Sequence, residues 1–234
     1  MRTCGIHRLI QQSMIIMKRR LILILIGFIL VGCVFSPEQT NIFENPACLP
    51  PCWENITPGV TKKADALAIL SKNHAIDQPI KDPNQALIGF DDAFHFTFYK
   101  DINRLGFIYI VGDRVSMIKF ENKLHITLQK AFELFGVPQS VIVVEHVGEF
   151  DTITWLNPEN GIVFSYLFHL NNSFEIRPGD EIDEVFLFDP SQYQLYLNNG
   201  FFTYAEISSD EISKKMRLWK GYGSITQYLT SPLP

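Results

Sequence analysis

The stretch Leu105-Gly106-Phe107-Ile108-Tyr109-Ile110-Val111-Gly112-Asp113-Arg114-Val115-Ser116-Met117-Ile118-Lys119-Phe120 decides the fold. Two runs rich in β-branched and aromatic residues flank Gly112-Asp113, so the stretch reads as a β-hairpin. Just upstream, Phe94-His95-Phe96-Thr97-Phe98-Tyr99 alternates strictly. That places three Phe on one face, which makes sense only if the face is dry. Downstream, Val141 to Val147 reads as a strand. Thr152–Leu156 and Ile162–Phe168 flank Asn157-Pro158-Glu159-Asn160-Gly161 as a second hairpin with strong turn chemistry. Arg177-Pro178-Gly179-Asp180 turns again before Ile182 to Phe188, and Gln192 to Leu197 is expected to add an edge strand.

Helical signals precede each strand-rich region. Thr61 is placed to cap a helix whose apolar stripe is Ala64, Leu67, Ala68 and Ile69 or Leu70. Thr127 is placed to cap a second, with Leu128, Ala131, Phe132, Leu134 and Phe135 inward, Gly136 as stop and Pro138 beyond. Ser208-Ser209-Asp210-Glu211 forms a capping box for a last helix, near 209–220, carrying Ile212, Met216 and Trp219. Gly221-Tyr222-Gly223 stops it, and Ile225 to Leu229 adds one more turn. Ala66-Leu67-x-Ile69-Leu70 and Ala131-Phe132-x-Leu134-Phe135 share a pattern. The expected class is α+β: two helix-then-antiparallel-sheet units, 48–121 and 122–234, the second with the C-terminal helix.

The N-terminal stretch speaks to location. Lys18, Arg19 and Arg20 precede an apolar run from Leu21 to Val31, which is too short for a stable span and suits a removable signal core. Met1 to Met14 has no continuous apolar run, so Met14 or Met17 is the better start and Cys4 is never made or is lost with the signal. Leu30-Val31-Gly32-Cys33 resembles the lipobox of bacterial lipoproteins. The resemblance implies cleavage before Cys33, diacylglycerol on its thiol and an acyl chain, such as palmitate, on the new amino terminus. More than one lipid chain satisfies the requirement for stable anchoring. The expected organisation is signal peptide 1–32, tether 33–47, then the folded part. The expected location is the extracytoplasmic face of a membrane in a bacterial envelope.

Residues 1–32 hold five of the 20 cations and none of the 25 acids, so the remaining 202 residues carry a net charge of −10. That argues against nucleic acid as a partner, and against flat adhesion to anionic lipid. An apolar fraction of 47% with 19 Phe is ample for a core. Val34 to Ala47 is polar and Pro-punctuated, as a tether would be. Cys48-Leu49-Pro50-Pro51-Cys52-Trp53 follows. Outside the cytoplasm a small local disulfide between Cys48 and Cys52 is favoured, fixing the position of Trp53. The competing readings are a redox pair, which more often spaces its cysteines by two, and half of a metal site lacking two further ligands.

Ile56-Thr57-Pro58-Gly59-Val60-Thr61 before a helix, and Thr127 through Gly136-Val137-Pro138 before strands, resemble small envelope lipoproteins of the SmpA/OmlA type. They also resemble the tandem-repeat fold of the β-lactamase-inhibitor protein. The Cys48–Trp53 start resembles uncharacterised lipoproteins of Chloroflexus-like bacteria. The resemblance covers about residues 48–190 and implies a helix packed on a meander sheet with a binding or scaffold role.

Catalytic motifs do not stand out. There is no His-Glu-x-x-His, no Gly-x-Ser-x-Gly and no phosphate-cradling glycine loop. His95 reads first as part of a solvated or helix-covered face, and Asp91-Asp92 as a turn. Asp180-Glu181-Ile182-Asp183-Glu184 lacks the oxygen spacing and glycine of a calcium loop. No cofactor and no metal are expected. Trp155 is expected in the core. Trp53, Trp219 and Tyr222 are the candidate interface, should they cluster at the surface. Two functions follow: a non-catalytic binding or scaffold lipoprotein meeting an envelope protein partner, or a tethered hydrolase or carbohydrate-binding module with an acidic cleft.

Overall fold

A computed structural model describes residues 42–43, 47–81, 89–99, 101–122, 124–144, 151–168, 174–199 and 209–229. All lie in the second of two compact units, Thr40–Pro234. The residues read as signal peptide, Cys33, most of those read as tether, and Ser208 lie outside the described residues. The fold is mixed α and β and is dominated by antiparallel sheet.

The deciding hairpin forms as read. Strands β3 (Asp101–Val111) and β4 (Arg114–Glu121) pair around Gly112, whose φ of 61° suits glycine. Strand β2 (Asp92–Phe98) pairs with β3, and the short β1 (Ile80–Lys81) closes that edge. A second meander follows from β5 (Ser140–Val144) through β6 (Asp151–Asn157) to β7 (Ile162–Phe168). Its β6–β7 turn is a 3-10 segment, Pro158–Asn160, ended by Gly161 in the left-handed region. Strands β8 (Glu175–Ile176), β9 (Glu184–Phe188), β10 (Arg217–Leu218) and β11 (Gly223–Ser224) complete the set. β9 inserts between β4 and β7 and joins the two meanders into one nine-stranded sheet, in the order β1-β2-β3-β4-β9-β7-β6-β5-β10.

Both faces of this sheet are covered. One face carries Phe94, Phe96 and Phe98 of β2, Phe120 of β4, Leu187 of β9 and Trp155 of β6. Over it lie α1 (Lys63–Lys72), through Ala66 and Leu70, and α2 (Leu128–Phe135), through Leu128, Ala131 and Phe135. Each buried Phe or Leu contributes on the order of 1.5–3 kcal/mol. The opposite face carries Phe107, Tyr109, Met117, Phe186 and Phe188. It is met by α3 (Tyr193–Asn199) through Tyr196 and Leu197, and by α4 (Ser209–Lys215) through Ile212. A last turn, α5 (Thr226–Leu229), buries Tyr228.

Several local expectations are corrected. Thr61 does not cap α1. Its Oγ1 accepts from the Thr57 N–H at 2.8 Å, and the Lys63 N–H instead donates to the Asp113 carbonyl at 2.9 Å. The α1 stripe turns on Ala66 and Leu70, four apart, and Ala64 and Ala68 are exposed. Thr127 does cap α2, accepting from the Lys130 N–H. Residues 193–197 are helix, not edge strand, because Asp189 accepts from the Ser191 N–H and Pro190 opens a helical turn. The C-terminal helix stops at Lys215. Arg217 Nη1 donates to the Lys214 and Met216 carbonyls, and the chain then pairs with the free edge of β5 as β10. Asp92 is not in a turn but opens β2.

Candidate functional site

Among the sequence-derived candidates, Cys48 and Cys52 are bonded to each other, with Cα atoms 5.7 Å apart. The bond leads straight into Trp53, which doubles back through Glu54 and Asn55, both at positive φ, to pair with Ile56. This loop drives the indole into the core, stacked on Phe96 at 5.6 Å and edge-on to Phe120 at 4.9 Å. Trp53 is therefore not part of an exposed interface; it is 3% exposed. The folded part also reaches back into the stretch read as tether. Phe43 is buried against Phe120 and Phe135, at 5.4 and 5.2 Å.

Trp219 and Tyr222 do come together. Their rings lie 5.9 Å apart, and both touch Phe132 of α2, at 5.5 and 5.7 Å. Trp219 also stacks on Tyr228 and meets Trp155 edge-on. Trp155 is wholly buried, as expected. Burial first, and then the Glu133 charge, push the Tyr222 hydroxyl above its ordinary pKa. The exposed side chains Leu218 and Val137 belong to the same region, since the Trp219 N–H donates to the Gln139 carbonyl beside β5. The cluster is thus a half-buried aromatic bed with an exposed apolar rim.

A second constellation escaped sequence reading. Lys119 Nζ lies 2.6 Å from Glu121 and 2.9 Å from Glu184, all on the face that carries Phe186. Ser165 Oγ donates to Glu184 at 2.9 Å. The one available signal was the odd-numbered position of Lys119 between Met117 and Glu121, which puts it on the covered side of β4. The ammonium lies between the two carboxylates and compensates their charge. The cluster ties β4, β9 and β7 together. A two-residue slip of β9 would keep its apolar faces but lose these pairs.

Several other charged groups are held by local partners. Asp92 is held by Lys63 first and Lys81 second, which lowers its carboxyl pKa. Burial raises the Asp183 carboxyl against the opposing effect of the Leu167 N–H it accepts from, and Glu184 and Glu181 add to the rise. Tyr196 and Tyr193 are pushed up to about 12 by burial; Tyr196 also bonds Ser116 at 2.6 Å. Asp180 accepts from the Arg177 N–H and closes its turn. His95 sits partly buried opposite Phe107. Among the described residues no group of three or more His, Cys, Asp or Glu is arranged to hold a metal ion. Among them no helix is long and apolar enough to cross a membrane.

No family model, curated protein or solved structure matches this chain.

Proposed function

We propose that the chain is a lipid-anchored extracytoplasmic protein that acts as a non-catalytic binding or scaffold module for an envelope protein. The observation that carries this reading is the run from Lys18-Arg19-Arg20 through Leu21–Val31 to Leu30-Val31-Gly32-Cys33. The bonded Cys48–Cys52 pair supports it, because such bonds persist outside the reducing cytoplasm. In the same reading, α1 with β2–β4 and α2 with β5–β7 are two helix-then-sheet units, as in the SmpA/OmlA-type and β-lactamase-inhibitor-like folds. The sheet edge at β1, where Ile80 is exposed, offers main-chain groups to a partner.

Cross-linking in native membranes followed by purification tests the binding role. One envelope protein should be recovered with the wild type and lost with Ile80→Lys, a change outside the core. Recovery of the chain alone, with hydrolytic activity or sugar retention in the purified protein, would replace this reading with the tethered hydrolase or carbohydrate-binding one.

A further inference from the structure

The chain is acidic, yet its cations are unevenly placed. Lys214, Lys215, Arg217 and Lys220 fall within seven residues that contain no acid. Lys214 and Lys220 are exposed, while Lys215 and Arg217 are partly so. No acid among the described residues is ion-paired with any of the four. The nearest acids in sequence, Asp210 and Glu211, stand four residues before Lys214 and Lys215 on the short α4 and border the cationic segment at that end, while Arg217 and Lys220 lie beyond them. Between and beside these cations stand Leu218, 59% exposed, and Tyr222, 39% exposed, with half-buried Trp219 behind them. Cations interleaved with Trp, Tyr and Leu are the composition that rests at a bilayer interface. The aromatic rings lie at headgroup depth and the cations meet anionic headgroups.

The position fits as well as the composition. Phe43, where the chain from Cys33 joins the fold, packs on Phe135 of α2. One turn away on that helix, Phe132 holds Trp219 and Tyr222. The described chain therefore begins, at Ile42 and Phe43, beside the helix that backs the cationic segment. Nine residues from Cys33 to Ile42 reach at most about 30 Å.

We propose that residues 214–222 are a second membrane contact, docking the folded part onto anionic lipid headgroups and fixing its orientation beneath the anchor. The geometry of this inference rests on the anchored reading, but its chemistry does not. Each Lys near an anionic surface changes the docked-to-undocked ratio about fivefold, so Lys214→Gln with Lys215→Gln should lower it roughly thirty-fold.

The test uses the full-length protein purified from its membranes and mixed with vesicles containing brominated phosphatidylcholine, with or without phosphatidylglycerol. Trp53 and Trp155 are buried, so tryptophan quenching by the bromolipid reports Trp219. Quenching should appear with phosphatidylglycerol, fall as salt rises and be lost in the double Gln variant, whose circular dichroism should match the wild type. Flotation with vesicles of phosphatidylcholine alone reports the anchor separately. Flotation there, with quenching indifferent to phosphatidylglycerol and to the two substitutions, overturns the docking and leaves the anchor standing. No flotation there, but charge-dependent binding to anionic vesicles lost in the variant, upholds the docking and removes the anchor.

Discussion

Gly106 of β3 is where the Phe96 ring lies. A Cβ there would come within 2.2–2.9 Å of three ring atoms. Phe96 cannot yield, because it is buried under the Trp53 indole. Gly106→Ala should destabilise by about 1–3 kcal/mol, read as a lower urea midpoint. An unchanged midpoint would mean the Phe96–Trp53 stack is looser than described. Asp183 works in the other direction. Its folded carboxyl is raised above the unfolded value, mainly by burial, so its charged form opposes folding. Stability then falls as pH rises through the window from the ordinary carboxylate value to the raised one. Asp183→Asn keeps an acceptor for the Leu167 N–H. It should raise the thermal midpoint at neutral pH and lose that advantage by about pH 4. A midpoint lowered at neutral pH would contradict this. Residue types alone show neither effect: that Gly106 faces a ring, or that Trp53 is core and not surface, depends on which strand lies opposite.

At the scale of elements, the alternation in β2, the β3–β4 hairpin and the β6–β7 hairpin was legible, because one dry face and a strong turn constrain a strand locally. Helix α3 was not. Tyr193, Leu195 and Leu197 alternate like a strand, while Tyr193, Tyr196 and Leu197 also make a helical stripe, and Pro190 decides between them. The end of α4 was misread because β10 forms only where the free edge of β5 is present, and no local signal announces a distant edge. The insertion of β9 between β4 and β7 was equally invisible, and the Lys119 cluster holds it there. Lys119→Met should cost about 3 kcal/mol by leaving Glu121 and Glu184 facing one another with side chains 18% and 17% exposed. Adding Glu121→Gln and Glu184→Gln to that variant should recover most of the loss, measured by chemical denaturation. If the triple variant is no more stable than Lys119→Met, the pairing of these groups is not what the single change disturbs.

At the scale of the whole molecule, the first described residues are fastened to the sheet through Phe43, the Cys48–Cys52 bond and Trp53. The bond closes a short loop, so replacing both cysteines with Ser should cost only about 2 kcal/mol. A loss approaching global unfolding would show that it sets the Trp53 position more strongly than loop entropy implies. The proposed role, an exported protein held at a membrane by its lipid, requires modification of Cys33. Intact-mass analysis of the protein extracted from its own membranes tests that point directly. The predicted mass begins at Cys33, lacks everything before it and carries added acyl chains. A chain in which an unmodified Cys33 is still joined to Gly32 would contradict it.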